Sequence, residues 1–446
     1  MAAPGRVDLS TDKDTNVHPT TLAPAPRHQP PVRLRPHPRV LAPALQVADT
    51  PAAAVFAAVR QHGPIAREVI AGATSLSIAT VNRQVAALLD IGLLQERADL
   101  TVAGAIGRPR RPVAVNHEPF ATLGIHIGAR TTSIAATDLL GRTLDVVETP
   151  TPRSGAEVAL AALADSARRY LSRWHKRRPL WVGVAIGGAV DATAGLVDHP
   201  RLGWSQAPVG PVLAEALGLP VSVASHVDAM AAAELLLGAR RFPSKAHTSL
   251  YVYARETVGF AQLIGGQVHS PASGPGTIAG LPVASELLGG SGLLESTVSD
   301  EAVLTAARRL RLAPAGGSGD AGKALAGLLR AARSGNEQAA VLLAERARVL
   351  GQAVALLRDL LNPDDLVVGG QAFTEYPEGM ATVQAAFAER SLLAPRAIRV
   401  TSFGNRVQEA GAGTVSLAGL YADPVAALRR SAGTAPRRSP VAGVSA

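Results

Sequence analysis

Residues 123–138, LGIHIGARTTSIAATD, have the composition of a loop that could hold a phosphate group. An apolar strand runs into a turn with Gly128, Thr131 and Thr132, and a second apolar run follows. A glycine turn exposes backbone N–H groups that can face phosphate oxygens. The polar residue within the strand is His126, however, where metal-assisted phosphoryl transfer uses a carboxylate. The pattern therefore leaves open whether this is a working nucleotide site or only its outline.

A second group of residues could read DNA. Asn and Gln side chains form paired hydrogen bonds with adenine, and Arg does so with guanine, each pair giving about 1–3 kcal/mol of discrimination. The sequence places such residues on one predicted helical face, opposite Val81 and Val85, and Ser77 precedes them as a helix N-cap. The candidate DNA-reading residues are therefore Ser77, Thr80, Asn82, Arg83 and Gln84. A solvent-facing helix with ordinary polar residues is the alternative, and the neighbouring elements decide between the two.

Three short helices and a hairpin are predicted around this face. Apolar residues recur at helical spacing in three groups, each closed by a glycine: Val55, Phe56 and Val59 before Gly63; Ile65, Val69 and Ile70 before Gly72; and Ile78, Val81, Val85, Leu88 and Leu89 before Gly92. Residues 93–97 and 112–116 are predicted to pair as strands. The arginines between them, Arg108, Arg110 and Arg111, would then lie in a wing. This order of elements predicts a winged helix-turn-helix that binds double-stranded DNA.

The composition agrees with a nucleic-acid partner. Lys and Arg outnumber Asp and Glu by 44 to 35, and only four of the 44 are lysines. Residues 1–115 hold 13 of these basic residues against 8 acidic ones, so over half of the net charge of +9 lies in the first quarter of the chain. The absence of cysteine excludes disulfides and thiolate zinc sites. Without a signal-peptide pattern or an apolar run near 18 residues, the chain is predicted to be cytoplasmic, with no membrane contact.

The pattern of elements predicts four segments. Residues 1–50 are rich in proline and poor in large apolar groups, which predicts a disordered Pro/Arg-rich tail. Residues 51–116 form the predicted DNA-binding domain. Residues 117–424 alternate strands and helices, and the order strand-strand-helix-strand occurs twice, which predicts an α/β architecture in two lobes. Residues 425–446 are predicted to be a second disordered tail.

Several stretches resemble the ROK family, named for repressors, open reading frames and kinases. REVIAGATSLSIATVNRQVAALLDIGLLQER (67–97) and GRPRRPVAVN (107–116) resemble its winged helix-turn-helix, while VGVAIGGAVDATAGLVDHPRLGW (182–204), PGTIAGLPV (275–283) and GGSGLLE (289–295) resemble the ROK domain itself. The resemblance covers residues from about 51 to 425. It implies a two-lobed, actin-like ATPase fold and a DNA-binding transcriptional repressor linked to carbohydrate metabolism. The ROK domain of such a regulator forms homodimers or homotetramers and senses a sugar or another small molecule.

The resemblance also implies what the kinase members need, and this chain departs from it. The Asp of the first phosphate loop falls on His126, and the second Gly-Thr-Gly turn falls on residues 254–259, ARETVG. A side chain forced into a left-handed turn would cost about 1–2 kcal/mol. An inward Glu256 would repel a phosphate charge at ~4 Å by up to roughly 4 kcal/mol. We therefore predict no catalytic residues, no cofactor and poor ATP binding. A sugar kinase with divergent loops is the alternative, and a scaffold that binds neither DNA nor ligand is a third hypothesis.

Four positions of the family's sugar site can be carried over. The Asn-Asp pair falls on Ser225-His226, a Glu falls on Thr277, and Glu295 is unchanged. These four are the predicted ligand-binding residues. His226 could act as a base, but we predict that His126 and His226 are both packed, hydrogen-bonded interior histidines.

No metal site is predicted. The family's zinc ligands, one His and three Cys, fall on Gly280, Glu286, Leu288 and Leu293, so no ligand set remains. Apolar packing by the two leucines is expected to take the place of the metal.

Overall fold

The computed structural model describes residues 37, 39–100, 111–238, 247–271, 274–314, 321–394 and 396–432. Arg108 and Arg110, the first 36 residues and those after residue 432 lie outside these ranges, so the predictions made for them stay predictions. Within the described ranges, no helix combines the length and the apolar character that crossing a membrane requires.

The N-terminal unit has three helices and a two-stranded sheet. Its elements are α1 (Pro51–His62), α2 (Arg67–Thr74), α3 (Ile78–Asp90), β1 (Leu94–Glu96) and β2 (Val113–Val115), and the two strands pair antiparallel. Thr50 and Ser77 cap α1 and α3, and Gly92 is left-handed after α3, as expected for these residue types. Three details were predicted wrongly. Gly72 lies inside α2, which ends at the left-handed Ser75, while Val69 and Ile78 are 53% and 46% exposed rather than part of the core.

The first lobe contains a five-stranded sheet and two helices. Its elements are β3 (Phe120–Ile127), β4 (Thr131–Thr137), β5 (Thr143–Pro150), α4 (Ala156–Ser172), β6 (Arg178–Ile186), β7 (Ala189–Asp191), β8 (Leu196–His199), β9 (Trp204–Ala207), α5 (Val209–Leu217) and β10 (Val221–Ser225). The main sheet has the order β10-β6-β3-β4-β5, with the first three strands parallel and the last three antiparallel, and β7, β8 and β9 form a small separate sheet.

The second lobe repeats this strand order. Its elements are α6 (His226–Leu236), β11 (Thr248–Ala254), β12 (Val258–Ile264), β13 (Gln267–His269), β14 (Gly276–Thr277), α7 (Leu294–Val298), α8 (Asp300–Arg309), α9 (Ala321–Arg333), α10 (Glu337–Leu361), β15 (Asp365–Gly369), α11 (Gln371–Thr374), α12 (Met380–Arg390) and β16 (Ile398–Val400). The sheet order is β13-β12-β11-β15-β16, again an antiparallel meander joined to parallel strands. The prediction of an α/β fold in two lobes is confirmed.

Helix α13 (Val407–Ala422) contacts the N-terminal unit and both lobes. It is followed by α14 (Pro424–Ala432). It packs on β3 and β6 of the first lobe, on α6 and on α1. Glycines in the two strands allow this close approach, because a Cβ at Gly183 would lie 2.1 Å from the backbone nitrogen of Ser416. Tyr421 near the end of α13 contacts the ring of Phe56 in α1.

The predicted disordered tails are partly ordered. Leu41 and Arg39 exchange backbone hydrogen bonds with Val221 at the edge of the first sheet. A few residues later, Leu45 and Val47 hydrogen-bond to β13 and the turn before it, at the edge of the second sheet. Residues 39–47 thus form an edge segment on both lobes, because a short extended chain can pair with sheet edges without a core of its own. At the other end, α14 buries Ala427 and Leu428, so the prediction of disorder is wrong for residues 425–432.

The contact between α13 and the sheet yields a stability prediction. Gly183→Ala places a methyl group within the backbone of α13, so we expect a loss of at least about 3 kcal/mol in the free energy of unfolding. Gly72→Ala is the matched control, because no atom lies within 4 Å of the new Cβ and α2 should gain about 0.5–1 kcal/mol. Urea unfolding of both variants measures the difference, and a Gly183→Ala variant as stable as the wild type would contradict the close packing.

Candidate functional site

A cleft of about 490 Å³ opens between the two lobes. Its walls are the turn between β3 and β4, the residues after β6, the first turn of α6 and the turn between β11 and β12. Glycine is required within the β3–β4 turn, since a Cβ at Gly128 would lie 2.8 Å from the carbonyl oxygen of Thr131. The polar side chains that line the cleft are His126, Thr131, His199, Arg201, His226, Tyr253, Arg255, Glu256, Thr257, Thr277, Glu295 and Gln408.

Neutral imidazoles occupy the centre of the cleft. The rings of His126 and His226 are nearly parallel, with centroids 6.1 Å apart, and the ring of His226 lies 5.2 Å from that of Tyr253. Burial lowers the pKa of His126 well below its usual value, and repulsion from His226, once that ring is protonated, and from Arg255 lowers it further. Burial also lowers the pKa of His226 to about 4. At neutral pH neither ring carries a charge. The negative charge that a carboxylate would offer to a metal–phosphate complex is therefore absent from both positions.

The hydrogen bonding of His126 differs from the prediction. The ring is buried, but its Nε2 atom has no hydrogen-bond partner in the described part of the chain. The prediction of a hydrogen-bonded interior histidine is therefore wrong for this residue. An unpaired buried polar group costs about 1–3 kcal/mol. The buried Nε of Arg255, another residue of the cleft, also lacks a hydrogen-bond partner in the described ranges, so a bound molecule could satisfy both atoms.

The turn that replaces the second phosphate loop is filled by side chains. Arg255 donates from its terminal nitrogen to Oε1 of Gln408 at 2.8 Å, and its Nε lies 3.9 Å from the carboxylate of Asp300. Neither Arg255 nor Glu256 has a left-handed φ, so the predicted backbone strain in this turn is wrong. Glu256 does line the cleft, but it lies 3.8 Å from Arg130, which offsets the predicted repulsion of phosphate.

Ion pairs cross the cleft from one lobe to the other. Arg130, in the β3–β4 turn, lies 3.8 Å from Glu256 and 3.6 Å from Glu301 of the second lobe. Arg201 of the first lobe lies 2.6 Å from Glu295 of the second. All of these groups are partly exposed, so each pair contributes at most about 1 kcal/mol. In these three pairs the charged side chains of the cleft neutralise one another, so they are not free to bind a charged ligand.

Three of the four predicted ligand-binding residues line the cleft: His226, Thr277 and Glu295. Thr277 accepts a hydrogen bond from the backbone of Ala279 at 3.2 Å, and Glu295 accepts one from Val258 at 3.2 Å besides its pair with Arg201. Ser225 does not line the cleft; its hydroxyl accepts from the backbone nitrogen of Asp228 at 3.2 Å and caps α6. A sugar would have to compete with Arg201 for Glu295.

Sequence reasoning missed His199, Arg201 and Gln408 as parts of the cleft, whereas Arg255 lies in the 254–259 turn that was placed at the second phosphate loop. His199 and Arg201 lie in a stretch that resembles the ROK domain, so a check of every polar residue there would have found them. Gln408 lies more than 150 residues from its partner Arg255, and no local pattern indicates that contact.

At the positions of the family's zinc ligands, only one of the two leucines is buried. Leu288 is 3% exposed and packs in the core of the second lobe, whereas Leu293 is 43% exposed. The expectation that both leucines replace the metal by apolar packing is therefore wrong for Leu293.

The predicted DNA-reading residues of α3 are exposed or partly exposed. Asn82 and Arg83 are exposed and Gln84 is partly exposed, while the opposite face of α3 is buried. Ser77 accepts from the backbone nitrogen of Thr80 at 3.2 Å and donates to its hydroxyl at 3.0 Å, so both side chains are held at the start of α3. Arg111 is exposed at the base of the hairpin.

Similarity to known proteins extends over most of the chain. A sequence model of the ROK family matches residues 122–420. A transcriptional regulator of Mycobacterium bovis is 72% identical over 412 residues, which cover 92% of this chain and 93% of that protein. The DNA-binding transcriptional repressor Mlc of Escherichia coli is 24% identical over 335 residues, covering 73% and 81%. The crystal structure of a ROK family transcriptional regulator, a homologue of E. coli Mlc, has a TM-score of 0.69 at 22% identity and covers 86% of this chain and 99% of that one. The last similarity shows a shared fold, and the two-lobed α/β part of this chain is actin-like.

The low pKa of His226 predicts a pH dependence of stability. In the unfolded chain this ring binds a proton near pH 6.5, whereas in the fold it does so only near pH 4, so acid favours unfolding between these values. Between pH 7 and pH 5 the free energy of unfolding of the wild type should fall by up to about 2 kcal/mol more than that of His226→Gln. Urea unfolding at both pH values checks this, with His175→Gln at an exposed position as the control. An equal decrease of the free energy of unfolding in the wild type and in His226→Gln would contradict a lowered pKa of His226.

The geometry also predicts that the cleft does not bind Mg-ATP. His126 offers no carboxylate to the metal, and the side chains of Arg255 and Glu256 occupy the second turn. A calorimetric titration with Mg-ATP should therefore give no binding heat in the micromolar range. Micromolar binding would support the kinase alternative instead.

Proposed function

Because this chain belongs to the ROK family, we propose that it is a DNA-binding transcriptional regulator and acts as a repressor. The observation that carries the proposal is the 72% identity, over nearly the full length of both chains, with a transcriptional regulator. The similarity to the repressor Mlc supports the sign of regulation. The partner is double-stranded DNA, in the cytoplasm.

The N-terminal unit is the proposed winged helix-turn-helix. Its three helices are followed by an antiparallel hairpin, and the exposed face of α3 carries side chains with the donors and acceptors that base edges need. Asn82 and Gln84 suit adenine, Arg83 suits guanine, and Arg111 with the predicted wing residues Arg108 and Arg110 would contact the phosphate backbone. In a homodimer, two such helices address half-sites spaced by one DNA turn, about 34 Å, or a multiple of it.

The two-lobed domain is proposed to assemble the regulator and to bind a small effector, not to catalyse a reaction. The unpaired Nε2 of His126 in a cleft of about 490 Å³ supports a ligand. The sugar kinase alternative is weakened by the neutral imidazole at the carboxylate position and by charges that are already paired across the cleft. A sugar remains the proposed effector class, since His226, Thr277 and Glu295 line the cleft.

The proposal is tested by sequencing the genomic DNA fragments that the purified protein retains at physiological salt. The wild type should retain a defined set with a common sequence. Arg83→Ala should bind those fragments about tenfold more weakly and discriminate less at one position, because one guanine contact is lost. Arg168→Ala, an exposed arginine of α4 paired with Asp165, is the matched control and should leave the preference unchanged. Retention of no specific fragments by the wild type would favour the scaffold hypothesis.

A further inference from the structure

A cluster of three charged side chains lies between α2 and the hairpin, and it is called the hairpin-base cluster below. It consists of Arg67, the first residue of α2, Glu96 at the end of β1, and Arg111 just before β2. The terminal nitrogen NH2 of Arg67 lies 3.2 Å from one oxygen of Glu96, and NH1 of Arg111 lies 3.3 Å from the other. One carboxylate therefore holds two guanidinium groups, one on each oxygen.

The backbone fixes the spacing of this cluster. Ile65, two residues before Arg67, exchanges two hydrogen bonds with Val113, two residues after Arg111. The start of α2 is thereby paired to β2, and β2 is paired to β1, which carries Glu96. The backbone positions from which the three charged side chains extend are therefore fixed relative to one another. The two arginines are thus presented together, on the same unit as the DNA-reading face of α3.

A neighbouring arginine is used in a different way. Arg97 donates from Nε at 2.8 Å and from NH2 at 2.6 Å to the two oxygens of Asp99, so one two-pronged edge of its guanidinium group is engaged by one carboxylate. That pair is neutral. In the hairpin-base cluster the sum is one net positive charge, and each guanidinium contacts Glu96 through a single nitrogen. The remaining N–H groups of both forks suit the planar, two-pronged contact that arginine makes with phosphate.

We propose that Arg67 and Arg111 bind the DNA phosphate backbone as a pair, and that Glu96 is a positioning residue that holds them. Arg67 was not among the residues predicted from the sequence. This inference rests on the proposed DNA-binding function. Glu96 acts by restricting the arginine side chains before DNA arrives, so less side-chain freedom is lost on binding. Arg97 takes no part, because its charge is balanced one-to-one by a bidentate pair with Asp99.

The test is the salt dependence of binding to a retained genomic fragment, measured by fluorescence anisotropy. Each phosphate contact contributes about one unit to the slope of log K against log salt, so Arg67→Ala and Arg111→Ala should each lower the slope by about 1. Arg97→Ala is the matched control, of the same type and in the same unit, and should keep the wild-type slope. Arg67→Lys should restore the slope but not the full affinity, since lysine lacks the fork. A wild-type slope in Arg67→Ala, or an equal loss in Arg97→Ala, would overturn the proposal.

Glu96→Gln tests the positioning role separately, because two effects have opposite signs. Removal of a negative charge near DNA strengthens binding, whereas release of the two arginines weakens it. We expect weaker binding, by roughly two- to fivefold, with the slope unchanged. Tighter binding would overturn the positioning role and leave Glu96 as a repelling charge. If the wild type bound none of the fragments, the proposed function itself would fail, whereas wild-type binding that is insensitive to Arg67→Ala would defeat the phosphate pair alone.

Discussion

The close packing of α13 on the first sheet is the constraint on which the remaining geometry depends. The helix backbone approaches β3 and β6 at Gly124 and Gly183, where a Cβ would overlap main-chain atoms of the helix. Because the glycines bring the two backbones into direct contact at these points, α13 cannot slide or rotate without a clash between main-chain atoms. The same helix supplies Gln408 to the cleft at one end and Tyr421 to the N-terminal unit at the other. One rigid element therefore sets the position of both candidate sites.

The edge segment of residues 39–47 adds a second connection of this kind. It hydrogen-bonds to β10 in one lobe and beside β13 in the other, and α1 begins only a few residues later. Arg60 in α1 then donates to the carbonyl of Leu236 at the end of α6, at 2.8 Å. The N-terminal unit is thus attached to the two lobes through the chain on one side and through helix contacts on the other. A change in the angle between the lobes cannot leave both attachments unaltered.

Local patterns predicted the elements well and their long-range contacts poorly. The N-cap at Ser77, the left-handed Gly92 and the pairing of β1 with β2 follow from residue type and spacing. The edge segment could not be predicted, because a proline-rich stretch gains its order from sheet edges that lie some 180 and 220 residues away in the sequence. Val69 and Ile78 fit an apolar periodicity yet face solvent, since a three-helix unit of this size has too little core to cover every apolar position. Three of the four predicted ligand-binding residues line the cleft, but the arginine that pairs with Glu295 was not predicted. The DNA-reading role of the residues on α3 stays a prediction.

Arginine has two uses in this molecule, and the ratio of carboxylates to guanidinium groups separates them. Around the cleft, Arg201 pairs with Glu295, Arg130 pairs with Glu256 and Glu301, and Arg255 shares Asp300 with Arg346. Four guanidinium groups thus face four carboxylates, so little positive charge is left for a ligand. In the hairpin-base cluster two arginines share Glu96, and the surplus remains on the surface. A phosphate is attracted where donors outnumber acceptors and is not attracted where they balance. The part of the chain that resembles a phosphate-transfer site is therefore poorly suited to phosphate, and the small N-terminal unit has the surplus of donors that a nucleic acid backbone requires.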